Sequence, residues 1–295
     1  MKNQKLLLQK MSGVSLMLLL FLFFSNCAGG GGTFSTDVWN ITYDDQEGGI
    51  SLTYKSKNIC NGMYASYQWE GKEIKTSDYA RHKISTGKVS DSFGKGHIYK
   101  VEYTDKELPE LTQYFYLYPD KEYILTDFTV EAKEEISSAK MAPVNVDSIS
   151  GFLQAGDNRA LFVPFDNDKW IRYQSHPLAF DTLVSYEVTA IFNNESRNGL
   201  VIGSVEHDNW KTAISIGKGM NDNIGSLVCY GGIADEQTRD VKAHGALVGK
   251  KIKSPKVFLG FFENWCDGLE AYAKANAVIA PPKAWEKAVP FGWNS

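Results

Sequence analysis

The sequence predicts an all-β fold, built from two large, mostly antiparallel sheets packed face to face over residues 34–266. Three observations lead there. Apolar residues recur with period two, Asn- and Gly-rich turns separate the alternating stretches, and no helical period of 3.6 is convincing before residue 267. Many short antiparallel strands over some 230 residues are more than one sheet can bury, so two must stack.

The strand segments show the pattern directly. In "KEYILTDFTVEAK", Thr126, Phe128, Val130 and Ala132 fall on one face, and Asp127, Thr129 and Glu131 on the other. In "SYEVTAIFNNESRNGLVIGSV", Tyr186, Val188, Ala190 and Phe192 share a face, "NNESRNG" turns, and "LVIGSV" returns. "ELTQYFYLYPDKEY" is an aromatic strand closed by Pro119–Asp120.

The N-terminus reads differently. Lys2, Lys5 and Lys10 precede an apolar run from Val14 to Phe24, and small and polar residues then lead to Cys27. The run is too short to span a bilayer and reads as an export signal over 1–26. Cys27 sits where a bacterial lipoprotein is cut and acylated, and residues 27–33, including Gly29 to Gly32, form a tether. The expectation is an exported protein held at a membrane by a lipid anchor, periplasmic or on the outer membrane. Removing the signal leaves 269 residues, enough for one large domain or two small ones. It removes three lysines and no acid, which takes the formal charge from −4 to −7. That balance, with no basic stripe, argues against a nucleic-acid partner. Cys60, Cys229 and Cys266 match no metal spacing and are expected to be free thiols rather than a bridge.

The pattern changes again at "CDGLEAYAKANAVIAPPKAWEKAVPFGWNS". Asp267 and Glu270 make a capping-box-like start, and Leu269, Tyr272 and Ala273 share a helical face. The helix, expected over 267–279, must end before Pro281–Pro282, which cannot continue it. A linker then runs to residue 288.

The final residues, "PFGWNS", resemble the first strand of the catalytic barrel in melibiase-type α-galactosidases; Gly292, Trp293, Asn294 and Ser295 match that opening in order. "GLEAYAKA" with its proline-rich link resembles the junction that precedes the barrel in larger members of that family. The resemblance implies that residues 34–266 form a β-supersandwich of the galactose-mutarotase-like kind, and that 289–295 open a (β/α)8 barrel that these residues do not include. A retaining glycosidase needs two carboxylates about 5–5.5 Å apart. In the family both follow the "GWNS" segment, so this chain offers no catalytic residue. The barrel, and through it an α-galactoside-containing glycan, are the partners the resemblance implies.

Two segments are candidates for touching carbohydrate. In "LFVPFDNDKWIRYQS", Asp166, Asn167 and Asp168 lie close to Trp170, Arg172 and Tyr173. Carboxylates and amides suit paired hydroxyls, and an aromatic face suits the apolar side of a sugar ring. The same Asp-Asn-Asp run also suits a turn bonded to its own backbone. "PFDND" resembles a loop that faces the barrel in such domains. In "SVEHDNWKT", His207, Asp208, Trp210 and Lys211 could meet a sugar or hold a neighbouring loop. Asp44, Asp45 and Glu47 lack calcium-loop spacing, and His82, His97, His176 and His244 lack metal spacing. No phosphate loop and no nucleophile elbow occurs, so neither a metal nor a cofactor is expected.

Three functions follow as expectations. The first is the noncatalytic N-terminal domain of a secreted or lipid-anchored glycoside hydrolase that supports its barrel. The second is a free-standing carbohydrate-binding lipoprotein, and the third a purely structural β-domain.

Overall fold

The computed structural model describes residues 32–45, 48–166, 172–219, 223–240 and 245–284. The expected export signal over 1–26, Cys27, Asn167, Asp168, Trp170, His244 and the 289–295 segment lie outside them.

The strands in chain order begin with β1 (Thr33–Ser35), β2 (Trp39–Asp44), β3 (Gly49–Tyr54), β4 (Lys57–Trp69), β5 (Lys72–Lys75) and β6 (Arg81–Asp91). There follow β7 (Gly94–Thr104), β8 (Glu110–Leu117), β9 (Tyr123–Ser138), β10 (Met141–Val146), β11 (Asn158–Phe162) and β12 (Gln174–Pro177). The last are β13 (Thr182–Tyr186), β14 (Val188–Asn193), β15 (Gly199–Ser204), β16 (Thr212–Lys218), β17 (Ile224–Gly231), β18 (Leu247–Lys253) and β19 (Val257–Phe262). One helix, α1, spans Trp265–Ile279.

The all-β expectation holds. A nine-stranded sheet runs β1-β2-β3-β4-β10-β17-β16-β13, with β5 also on β4. A ten-stranded sheet runs β12-β11-β14-β15-β19-β9-β8-β7-β6, with β18 also on β9. Two long strands anchor these sheets by serving two neighbours in succession along one side. The first half of β4 pairs with β3 and its end with β5, while the start of β9 pairs with β19 and the rest with β18.

The main core lies between the sheets. Ile41, Leu52 and Met63 of one face Val101, Phe115, Phe128 and Leu259 of the other, all essentially fully buried. A second core lies on the outer face of the ten-stranded sheet, where Leu125, Phe192, Val201 and Phe258 meet Ala275, Leu269 and Tyr272 of α1. Cover on both faces explains why β15 and β19 are apolar throughout instead of alternating. Gly268 allows the close approach, since a Cβ there would meet Val201 and Phe262 at 2.7 and 2.5 Å.

Several sequence expectations are corrected. The helix starts at Trp265, not Asp267, and its cap is Asn264, whose side chain accepts from the Cys266 amide at 3.3 Å. Trp265 stacks on Phe192 at 4.2 Å, and that contact fixes the earlier start. Gly32, expected in the tether, is held in the fold: its carbonyl accepts from Tyr99 Oη at 2.7 Å and from the Tyr43 amide at 3.2 Å. Tyr186 and Val188 belong to different sheets, because Glu187 (φ 65°) carries the chain from β13 to β14. The cysteines agree with expectation: all three in the described residues are free, with Cys60 and Cys229 buried. Burial pushes the Cys60 thiol up to about 12, so it is protonated and inert.

Candidate functional site

Three connections meet at one end of the sandwich: the segment after β11, the β15–β16 loop and the β17–β18 loop. The first is pinned to β13, where the Val163 amide donates to Ser185 Oγ at 2.9 Å and the Tyr186 amide to the Val163 carbonyl at 3.0 Å. Phe165 then packs edge-on against Tyr186, 5.8 Å between ring centres, and Asp166 follows.

Asp166 forms an ion pair with Arg239, Oδ2 to Nη2 3.1 Å, both partly exposed. Arg239 is placed by a compact turn in "ADEQTRD". The Thr238 amide donates to Asp235 Oδ1 and the Asp235 amide to Thr238 Oγ1, each at 2.9 Å. Arg239 itself takes φ 61°. Asp235 also accepts the Tyr186 hydroxyl at 2.7 Å. Burial first, and that carboxylate second, push the Tyr186 phenol well above its ordinary range, so it stays a neutral donor. Lys211 completes the cluster, 2.8 Å from the nearly buried Asp240 and 5.3 Å from the centre of the Phe165 ring.

The two sequence candidates therefore converge through Asp166 and Lys211. Arg239, Asp235, Asp240 and Tyr186 were missed. The mixed-charge run "DEQTRD" between two strands was the available signal.

Trp210 is fixed on two sides. Its indole Nε1 donates to the Lys253 carbonyl at 3.0 Å, and its ring lies against Gly231, where a Cβ would meet it at 2.7 Å. With Asn209, Lys211, Ile233 and Leu247 it lines a cleft of about 350 Å³.

His207 sits apart, between the sheets' crossing point and α1. Its Nδ1 faces Glu187 Oε2 at 2.9 Å and its Nε2 faces Asn276 Oδ1 at 2.6 Å. Asn276 Nδ2 donates to the Tyr272 carbonyl at 3.0 Å, which turns the amide oxygen toward the ring. Both ring nitrogens thus meet acceptors, the arrangement that holds an imidazolium. The Glu187 hydrogen bond raises the His207 pKa above its ordinary value, against an opposing effect of burial. A raised folded-state pKa gives stability that is complete below pH ~6.5 and is lost as pH rises through the folded pKa. Because the pair is partly exposed, the contribution is ~0.3–1 kcal/mol. Thermal melts from pH 6 to 8.5 should show a decline that His207→Gln abolishes; equal slopes in both proteins would refute it.

The other described histidines are scattered: His82 pairs with Asp45 at 2.9 Å, His97 packs on Phe34 and His176 on Phe162. Among the described residues no group of His, Cys, Asp and Glu is placed to hold a metal. No helix among them is long and apolar enough to cross a membrane.

No protein-family model and no curated protein matches the sequence. Solved structures do match. A GH36 α-galactosidase from Geobacillus stearothermophilus in complex with 1-deoxygalactonojirimycin shares 11% identity and a TM-score of 0.54 over 83% of this chain and 42% of its own. An α-N-acetylgalactosaminidase from Bifidobacterium bifidum in complex with GalNAc shares 9% identity and a TM-score of 0.54, over 82% and 38%. The galactosidase domain of an α-galactosidase–sucrose kinase gives 10% identity and 0.51, over 78% and 40%. The likeness is one of fold.

It covers four-fifths of this chain, and the chain spans about two-fifths of the length of those proteins. At these identities the likeness speaks for the fold of residues 32–284 and for nothing finer.

Proposed function

We propose that these residues form the noncatalytic N-terminal domain of an exported, lipid-anchored glycoside hydrolase acting on α-galactosides, with its catalytic carboxylates on a barrel outside them. The observation that carries this reading is the coverage: a two-sheet fold shared with GH36-type glycosidases, matched over only two-fifths of their length. The described acids around Asp166 are committed to other work. Asp235 accepts from Tyr186 and caps its own turn, and Asp240 pairs with Lys211.

In this reading the domain supports the barrel and lends it the Asp166 loop, with Asn167, Asp168 and Trp170 beside it. A carboxylate held by Arg239 at the rim of a domain interface is oriented to accept from sugar hydroxyls, and a facing domain would supply the enclosure that an open sandwich lacks. Cys27 would tether the assembly to a membrane.

The purified 295-residue chain should therefore not hydrolyse an aryl α-galactoside above background. Turnover that survives purification and disappears in Asp166→Asn or Asp168→Asn would overturn the proposal. The stand-alone alternative, a carbohydrate-binding lipoprotein, would show as tight binding of a monosaccharide by the isolated chain, where the barrel-supporting role requires weak or undetectable binding.

A further inference from the structure

The cleft beside Trp210 does not end there. A second cleft, about 430 Å³, adjoins it and shares Ala139 and Ala246 as walls. Its far end is made by Trp69 and the two-residue turn Glu70–Gly71 that joins β4 to β5, both turn residues at positive φ (50° and 77°). Through these shared walls the two clefts are read as one groove, with Trp69 lining one arm and Trp210 the other. It crosses the rim of the sandwich where β9 leaves the ten-stranded sheet and β10 enters the nine-stranded one. That crossing is firm: the Lys140 carbonyl accepts from Ser138 Oγ at 2.8 Å and from the Gln68 amide at 2.9 Å. Each arm has the volume of a small-molecule site.

The groove's chemistry selects a ligand class. Tryptophans in both arms offer flat apolar surface for the C–H faces of sugar rings. Trp210 is held in one orientation by its Lys253 hydrogen bond, so little freedom is lost on binding. Between them, Gln68, Asn209 and Glu135 provide amide and carboxylate groups for hydroxyls. Charge narrows the class further. Glu70 and Glu135 line one arm, while Lys211 in the other is paired with Asp240 at 2.8 Å. Among the described lining residues the unpaired charges are those of Glu70 and Glu135, which a polyuronate would meet as like charge.

We propose that this groove binds an extended, uncharged oligosaccharide, distinct from any contact made by the Asp166 loop, and holds polymeric substrate against the domain. The choice of an α-galactosylated glycan as the ligand rests on the function proposed above; the groove itself does not. Lys211 touches both regions, so a chain held in the groove leads toward Asp166.

The test is affinity electrophoresis of the full chain in galactomannan and, separately, in polygalacturonate. Ala246 is exposed and borders both arms, so Ala246→Trp fills the groove without touching either core. Galactomannan should retard the wild-type chain and polygalacturonate should not. Ala246→Trp and Trp69→Ala should each weaken retardation at least ~10-fold, with Ala246→Trp melting like wild type. Trp69 packs partly on the main core, so Ala246→Trp decides if Trp69→Ala unfolds. No retardation by galactomannan or by an unsubstituted neutral glucan run beside it, equal retardation of wild type and Ala246→Trp, or a preference for polygalacturonate would each overturn the groove, whereas retardation by the glucan alone would overturn only the choice of an α-galactosylated ligand. None of these would touch the proposed domain role, which falls instead if the chain shows Asp166-dependent hydrolysis.

Discussion

Asp127→Ala is expected to lower stability by about 3–5 kcal/mol, the largest effect of any polar substitution considered for this fold. Asp127 lies on β9, facing outward from the ten-stranded sheet, yet it is 1% exposed. Lys256 Nζ stands 2.7 Å from its carboxylate and Lys253 Nζ 3.5 Å, and the Tyr116 hydroxyl donates to it at 3.3 Å. Lys256 also sits over the Tyr116 ring, 3.6 Å from its centre. Glu206 holds Lys253 through both oxygens, at 2.7 and 2.8 Å. Burial works against the Lys253 charge, but Asp127 and Glu206 outweigh it and raise its pKa, so it remains an ammonium. Removing Asp127 strands the mostly buried Lys256 ammonium beside an aromatic ring without the carboxylate paired to it. For a domain of this size the loss corresponds to a melting point lower by roughly 6–20 °C. Asp127→Leu combined with Lys256→Met should recover most of it, because the penalty comes from the orphaned charge and not from the lost pair. A single-variant loss below about 1 kcal/mol would show that water takes over the role of the carboxylate. The cluster bears on the groove as well, since Lys253 also supplies the carbonyl that fixes Trp210.

Asp166→Ala should separate stability from recognition. Its ion pair with Arg239 is partly exposed on both sides, so the domain should lose no more than ~1 kcal/mol and melt within a few degrees of wild type. Under the proposed function, the same substitution in a protein carrying the proposed barrel is expected to lower kcat/KM by an amount worth about 2–4 kcal/mol, roughly 30- to 1000-fold. The size follows from removing a charged acceptor from a site that excludes water. Asp168→Ala should behave alike if both carboxylates meet the sugar. Unchanged kinetics with a falling melting point would instead assign the loop to the scaffold, its carboxylate serving only to hold Arg239 and the "DEQTRD" turn in place.

Period-two alternation made the fold readable wherever one face of a strand meets water. It failed where that condition fails. Nothing local in "LVIGSV" says that α1 lies on the outer face, so a strand buried on both sides looks merely apolar. Alternation also ran unbroken through "SYEVTAIF", although the chain changes sheets at Glu187. Glutamate seldom takes positive φ, and this one does so because its surroundings fix it. Its amide donates to the Thr212 carbonyl, its carbonyl accepts from the Ser204 amide, and its carboxylate takes the Thr212 amide and His207. Alternation puts Asp127 with Thr129 and Glu131 opposite Phe128 and goes no further, because its surroundings come from lysines more than 120 residues away. Site residues followed the same division. Asp166 and Trp210 stand in local runs of suggestive chemistry, whereas Arg239 and Tyr186 acquire meaning only through long-range packing.

The neighbours of β9 carry a consequence for how the chain folds. Residues 123–126 of β9 pair with Val257–Gly260 of β19, contributed more than 120 residues later. As the polypeptide grows, β6 to β9 can assemble early as a meander, but the start of β9 keeps an open hydrogen-bonding edge until the last strand arrives. α1, made later still, is what covers the apolar outer face. Pairing over such distances is slow, and an open edge beside exposed Leu125 and Tyr123 invites association with other chains. The order of synthesis thus leaves the completion of the ten-stranded sheet to its final segment, and the time before that segment arrives is when this domain depends most on being kept from its neighbours.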